Sequence, residues 1–181
     1  MIISNNMKEI IAHSLKELMI TKSFKKITVY DIVSNCSITR QTFYNHFRDK
    51  YDVINFIYSK HTDEFYMHLG NNYTWYDICL ELLNIMKEDK TFYINAVNFD
   101  GQNSLLQIIF KHGYENCMNV IKKKNKTDKV DENLEFKLKF FIYGIIKSGE
   151  EWVKRGMILS PEQFAKNIMD CMPEELYEYL Y

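Results

Sequence analysis

The sequence predicts an all-α fold, and three observations carry that prediction. The 181 residues include only 2 Pro and 6 Gly, which argues against a turn-rich, strand-rich chain and for long helices. Apolar residues recur at spacings of three and four in one stretch after another. Helix-capping residues stand at the heads of those stretches, several followed three positions on by Asp or Gln. An apolar fraction of 46%, with 12 Phe, 13 Tyr and 9 Met, allows a sizeable core, and the length suits one compact domain or two small ones.

The first helix is expected over 4–21, capped by Ser4, with Met7, Ile11, Leu15, Leu18 and Met19 on one stripe. After a short connection at 23–26, Thr28 opens a second helix. Its carboxylate partner Asp31 lies at capping-box distance, and Val29, Ile32 and Val33 form its inner side. Asn35-Cys36-Ser37 breaks that helix after about two turns. Ser37 or Thr39 then caps a third helix running to about Phe47, and Asp49 caps a fourth that reaches about Leu69. Gly70-Asn71-Asn72 is the clearest break in the chain. Beyond it lie an amphipathic helix over Trp75–Asp89, a short apolar segment at 91–99 interrupted by Gly101, and a long helix from Asn103 or Ser104 to about Lys124. A charged loop at 122–128 precedes the longest helix, 131–156. Ser160-Pro161 opens a last helix to about Met172. Pro173 stops it and leaves a short final turn.

Charge is unevenly spread. Residues 1–60 carry 9 Lys/Arg against 5 Asp/Glu, while 61–181 carry 14 against 19. A basic first third on an acidic remainder suits a chain one end of which meets a polyanion. The four Cys are far apart and form no C-x-x-C pair, so they read as reduced thiols of a cytoplasmic protein. No uncharged apolar run approaches 18 residues, and the beginning of the chain lacks a signal-peptide pattern, so no membrane partner is expected. His61, Glu64 and His68 share a helical face, which reads better as a solvated or pocket-lining face than as a metal site. Lys122, Lys123, Lys124 and Lys126 read as a surface loop. No metal or cofactor is expected. No phosphate-binding Gly loop or nucleophile elbow supports an enzyme.

The densest chemistry lies at 27–50, ITVYDIVSNCSITRQTFYNHFRDK. Two short helices joined by a Ser-containing turn, the second polar on its outer faces, describe a helix-turn-helix. Phe43 and Phe47, at i and i+4, give that second helix an apolar edge with which to dock. Arg40 can fork onto guanine O6 and N7, and Gln41 or Asn45 onto adenine. Thr42, Tyr44 and His46 suit phosphate oxygens. Lys50 sits in the first turn of the fourth helix, where the dipole already favours a phosphate. The same pattern also admits a plainer reading, a helical hairpin with a solvated polar face.

The segments T-V-Y-D-I and T-F-Y-N-H-F-R-D-K resemble the signature of the TetR family of bacterial transcription regulators. The resemblance covers about residues 4–60 closely. FFIYGIIKSGEEWVKRGMILSPEQFA is similar to the last two helices of many members. Asn98–Leu106 is similar to a subgroup that includes activators of dihydroxyacetone kinase genes. The resemblance implies an N-terminal three-helix DNA-binding domain at 1–60 and, at 61–181, a C-terminal helical bundle for dimerisation and effector binding. It implies base contacts from Arg40, Gln41, Tyr30 and Asn45, and phosphate contacts from Thr28, Thr42, Tyr44, His46 and Lys50. A homodimer through about 131–172 would present two reading helices to a palindrome on double-stranded DNA. Gly144, Ser148 and Gly149 would allow the close helix approach. An effector pocket would draw on Phe65, Trp75, Phe92, Tyr93, Phe110, Tyr114 and Tyr143. The implied function is a repressor released by a small-molecule effector. The alternative is an activator controlled by a protein partner, and a helical enzyme or carrier is the remote one.

Overall fold

Short polar breaks and strong caps divide this chain into ten α-helices among the residues that the computed structural model describes, 2–99 and 103–181. They are α1 Ile2–Thr21, α2 Val29–Asn35, α3 Arg40–Tyr44, α4 Lys50–His68, α5 Trp75–Glu88, α6 Lys90–Val97, α7 Leu105–Asn125, α8 Glu132–Lys154, α9 Pro161–Asp170 and α10 Glu174–Leu180. A single 3-10 turn, Phe24–Lys26, joins α1 to α2. The described residues hold no strand, only an isolated bridge between Leu69 and Tyr73. The predicted interruption at Gly101 lies outside them. α1 begins at Ile2, upstream of its expected cap Ser4.

The caps form as their spacing implies. Thr28 and Asp31, Thr74 and Asp77, and Ser160 and Gln163 each make a reciprocal capping box, and losing such a cap costs about 1 kcal/mol. Gly70 closes α4 with φ +75°, and a Cβ there would stand 2.8 Å from Val120 Cγ1. Both facts demand glycine. α3 is shorter than expected. It stops at Tyr44, although Phe47 N still donates to Phe43 O at 2.9 Å and keeps the two rings on one side.

α1, α2 and α3 close around Ile11, Leu15, Met19, Ile32, Phe43 and Phe47, all buried. α4 packs on α1 in that group and continues onto α5 and α7. α5 lies along α9, and α7 along α8. A second junction joins the two ends of the molecule. The Asn95 side-chain amide on α6 accepts from Phe24 N and donates to Met19 O, at 3.1 and 2.6 Å. Lys16 on α1 pairs with Asp89 just before α6.

Candidate nucleic-acid interface

The turn between α2 and α3 is tight because Ser37 adopts a left-handed φ of +55°. Ile38 N then reaches Val33 O at 3.0 Å. Thr39 caps α3 by accepting from Thr42 N, and its hydroxyl meets that of Thr42 at 2.8 Å. Phe43 is fully buried and edge-on to Tyr44. Burying such a ring contributes about 1.5–3 kcal/mol, which anchors a helix of five residues that could not persist alone. The other face stays open. Arg40, Gln41, Tyr44 and Asn45 are exposed, and Thr42 and His46 half-buried.

The exposed groups are partly organised. Gln41 Nε2 donates to Asn45 Oδ1 at 3.0 Å. An amide nitrogen has two protons, so Gln41 keeps one donor and its carbonyl oxygen for the bidentate pattern of adenine. Arg40 lies over the ring of Tyr30, 5.5 Å from its centroid. Thr28 is occupied as the cap of α2, its hydroxyl donating to Asp31 at 2.7 Å and accepting from Asp31 N. Lys22 Nζ also reaches Asp31, at 2.8 Å. That ammonium, with the Thr28 hydroxyl and amide, holds the carboxyl well below the usual range.

Lys50 departs from the expectation. Its ammonium is turned away from α3 and donates to the carbonyls of Phe24, Lys25 and Ile27 at 2.8, 3.2 and 2.6 Å. It also lies 4.6 Å from the Phe24 ring centroid. Three protons meet three acceptors, so none is left over for a phosphate. Partial burial pushes its pKa down. Three exposed cations went unremarked in the sequence reading. Lys25 and Lys26 precede Ile27 and Thr28, and Arg48 pairs only at 3.5 Å with Asp52. The basic balance of the first third was their signal.

The aromatic residues expected to line a pocket are scattered. Trp75, Phe92 and Tyr93 are core residues, each no more than 4% exposed. Phe65 stacks on Tyr73. Phe110 stacks on Tyr114 and, across the α7–α8 surface, on Tyr143 at 4.4 Å. The apolar cavity among α5, α7, α8 and α9 has none of these seven in its wall. It measures about 70 Å³ and is lined by Leu82, Met86, Ile109, Ile145, Gly149 and others. Gly149 therefore faces inward, while Gly144 opens outward onto a groove shared with Phe140, Ser148, Asn167 and Cys171.

Two family models match this chain, one in its first third and one beyond α4. Residues 11–55 match "Bacterial regulatory proteins, tetR family", and 73–174, more than half the chain, match "Transcriptional regulator C-terminal region" of the same family. The chain belongs to the TetR family.

It is a TetR-family transcriptional regulator, and its helix-turn-helix is the family's DNA-binding element. Among curated relatives, the HTH-type dhaKLM operon transcriptional activator DhaS of Lactococcus lactis subsp. lactis (strain IL1403) is 33% identical over 86 residues. That match covers 48% of this chain and 46% of the relative, so it spans about half the relative's length. Among solved structures, the dihydroxyacetone kinase operon activator DhaS superposes with a TM-score of 0.63 at 23% identity, covering 97% of this chain and 98% of that one. A TetR regulator from Streptococcus agalactiae 2603V gives 0.65 at 17%, covering 94% and 96%. One from Syntrophomonas wolfei str. Goettingen gives 0.58 at 14%, covering 96% of each chain. At those identities the superpositions show the TetR fold alone. Among the described residues, no helix of this TetR regulator is long and apolar enough to cross a membrane.

Proposed function

We propose that this regulator works in the cytoplasm as a homodimer that binds a palindromic operator through α3 of each subunit. The observation that carries the reading is the uncovered polar face of α3, held in place by the buried Phe43 and Phe47. In this reading residues 1–60 form the DNA-binding unit and 61–181 the regulatory and dimerising unit, with α4 common to both. Arg40, Gln41 and Asn45 read base edges, and Tyr44, Thr42 and His46 fix register on phosphates. The basic residues Lys25, Lys26 and Arg48 add to the electrostatic attraction. Dimerisation uses the α8–α9 groove, where Phe140, Gly144 and Ser148 are exposed. The dyad sets the two reading helices about 34–36 Å apart, one turn of DNA.

Two observations bear on control. The likeness to DhaS, named as an operon activator, supports activation through a protein partner. Against it stands a cluster of interior polar groups. Tyr58 OH, Thr62 Oγ1 and Trp75 Nε1 are buried without a hydrogen-bond partner, between α4, α5 and α7. Buried polar groups rarely go unpaired, and a small hydrogen-bonding effector would satisfy them if α4, α5 and α7 parted to admit it. Such an effector acts directly on α4, the helix shared with the reading unit, and supports release of a repressor.

The test is selection of binding sites from random DNA with the purified protein, followed by titration of the best site in the presence of candidate effectors. A palindrome with half-sites one turn apart is expected, with affinity falling steeply as salt rises. Recovery of no preferred sequence would overturn the reading.

A further inference from the structure

We propose that Tyr30 is a shelf that holds Arg40 in its reading pose, so that sequence discrimination by α3 depends on a side chain of α2. This rests on the base-reading role given to Arg40 above. Tyr30 is the second residue of α2 and is 61% exposed, so it is no part of the core. Arg40 is the first residue of α3, and its guanidinium lies 5.5 Å from the Tyr30 ring centroid. Among the described residues Arg40 makes neither an ion pair nor a side-chain hydrogen bond.

The contrast with Arg48 shows what the ring supplies. Arg48 leans on a carboxylate, Asp52, and so commits donors to it. A ring attracts a guanidinium through its face and takes none of its N–H groups. All five donors of Arg40 then remain available, including the pair that would span guanine O6 and N7. The carboxylate nearest in sequence to Tyr30 is Asp31, and it is withdrawn. Thr28 N, Thr28 Oγ1 and Lys22 Nζ all bond to it. The capping box thus starts α2 and also occupies the acid that neighbours Tyr30. An exposed Arg loses much rotamer freedom when it docks. A shelf that has already narrowed those rotamers leaves more of the base contact as discrimination.

Binding is measured to the selected operator and to versions changed at each base pair in turn, at several salt concentrations. The proteins are wild type, Tyr30→Ala, Tyr30→Phe, Arg40→Ala and the double variant Tyr30→Ala/Arg40→Ala. Arg40→Ala identifies the base pair that Arg40 reads. At that pair Tyr30→Ala should lower discrimination about two- to fivefold, the scale of an exposed cation–π contact. The salt slope should stay unchanged, since no phosphate contact is lost. Tyr30→Phe should behave as wild type, and the double variant should match Arg40→Ala alone. Equal weakening at all sequences overturns the shelf. So does a Tyr30→Phe defect as large as that of Tyr30→Ala, which would place the hydroxyl on the DNA. A Tyr30→Ala effect that persists without Arg40 overturns it as well. If Arg40→Ala leaves every preference intact, the base-reading role falls and the shelf with it. If Arg40→Ala relaxes a preference that Tyr30→Ala keeps, the shelf alone falls.

Discussion

α3 and α8 each leave a face uncovered, and the two faces differ in chemistry. The α3 face is built of Arg40, Gln41, Tyr44 and Asn45, all of which water can hydrate. The α8 face shows Phe136 at 67% exposure and Phe140 at 72%, beside Gly144 and Ser148. Leaving apolar area in water costs about 25 cal/mol per Å², and large exposed apolar patches mark association sites. The difference teaches how each face is used. A polar face rests at little cost without a partner and suits intermittent binding to DNA. An aromatic face with small residues at its edge favours constant cover, which supports placing the proposed dimer contact there.

The largest expected effect comes from breaking that asymmetry. Phe140→Asp places an unpaired carboxylate where the second subunit packs. Removing a partner from a buried charge costs on the order of 3–5 kcal/mol, and the same scale should raise the dimer dissociation constant by about two to four orders of magnitude. Phe140 is exposed in the single chain, so helicity and thermal midpoint of the monomer should change little. Sedimentation equilibrium reads the dimer, and titration of the operator should show affinity falling with it. A variant that stays dimeric would move the interface elsewhere.

Lys50 comes next, because it decides whether an exposed-looking cation belongs to the reading face or to the fold. As a strap from α4 to the 3-10 turn it serves three carbonyls. Hydrogen bonds to a charged group contribute about 1.5–3 kcal/mol, and part of that is offset here by water at the surface. Lys50→Ala should therefore lower unfolding free energy by about 1–2 kcal/mol in urea titrations. It should weaken all DNA sites alike, with the slope of log K against log salt preserved. If Lys50 contacts phosphate instead, stability should hold and the slope should fall by about one.

How much was readable in advance follows the same division. Caps and breaks are local, so Thr28, Ser160 and Gly70 announced where helices begin and end by spacing alone. The anchor Phe43 and the exposed Arg40 and Gln41 were readable because they share one short helix. The strap of Lys50 was not, since its acceptors lie 23 to 26 residues away. Nor was the fate of Trp75, Phe92 and Tyr93, because hydrophobicity implies burial without saying whether a side chain packs on a ligand or on its neighbours. The separation of Gly144 and Gly149 was readable as well. Gly149 lies five residues from Gly144, roughly 140° round a helix, so the two glycines do not stand on one narrow stripe.

Gly149→Ala turns that separation into a test. Its Cβ would have nothing within 4 Å, because the position opens onto the apolar cavity. Alanine is about 1 kcal/mol better than glycine inside a helix, so the variant should be more stable by about that amount, with dimerisation and operator affinity kept. Gly144→Ala should gain a similar propensity in the single chain yet weaken the dimer, as its Cβ would stand in the groove. If the two substitutions affect association equally, α8 does not approach its copy along the Gly144 face.

The smallest effect is expected in the turn that aims α3. Ser37 holds φ +55°, where an L-residue carries a cost of roughly 1–2 kcal/mol that glycine avoids. Glycine in turn loses more freedom on folding, by about 0.5–1 kcal/mol. The balance predicts that Ser37→Gly stabilises by about 0.5 kcal/mol, read as a small rise in the midpoint of thermal unfolding. The sequence preference of α3 should not move, because the turn already has the shape that glycine favours. A stabilised variant with altered preference would show that the Ser37 side chain helps to aim α3. A destabilised one would show that its hydroxyl contributes more than the backbone cost it sits on. The first result would draw the turn into the reading face, which on present geometry ends at Thr39 and its bond to Thr42.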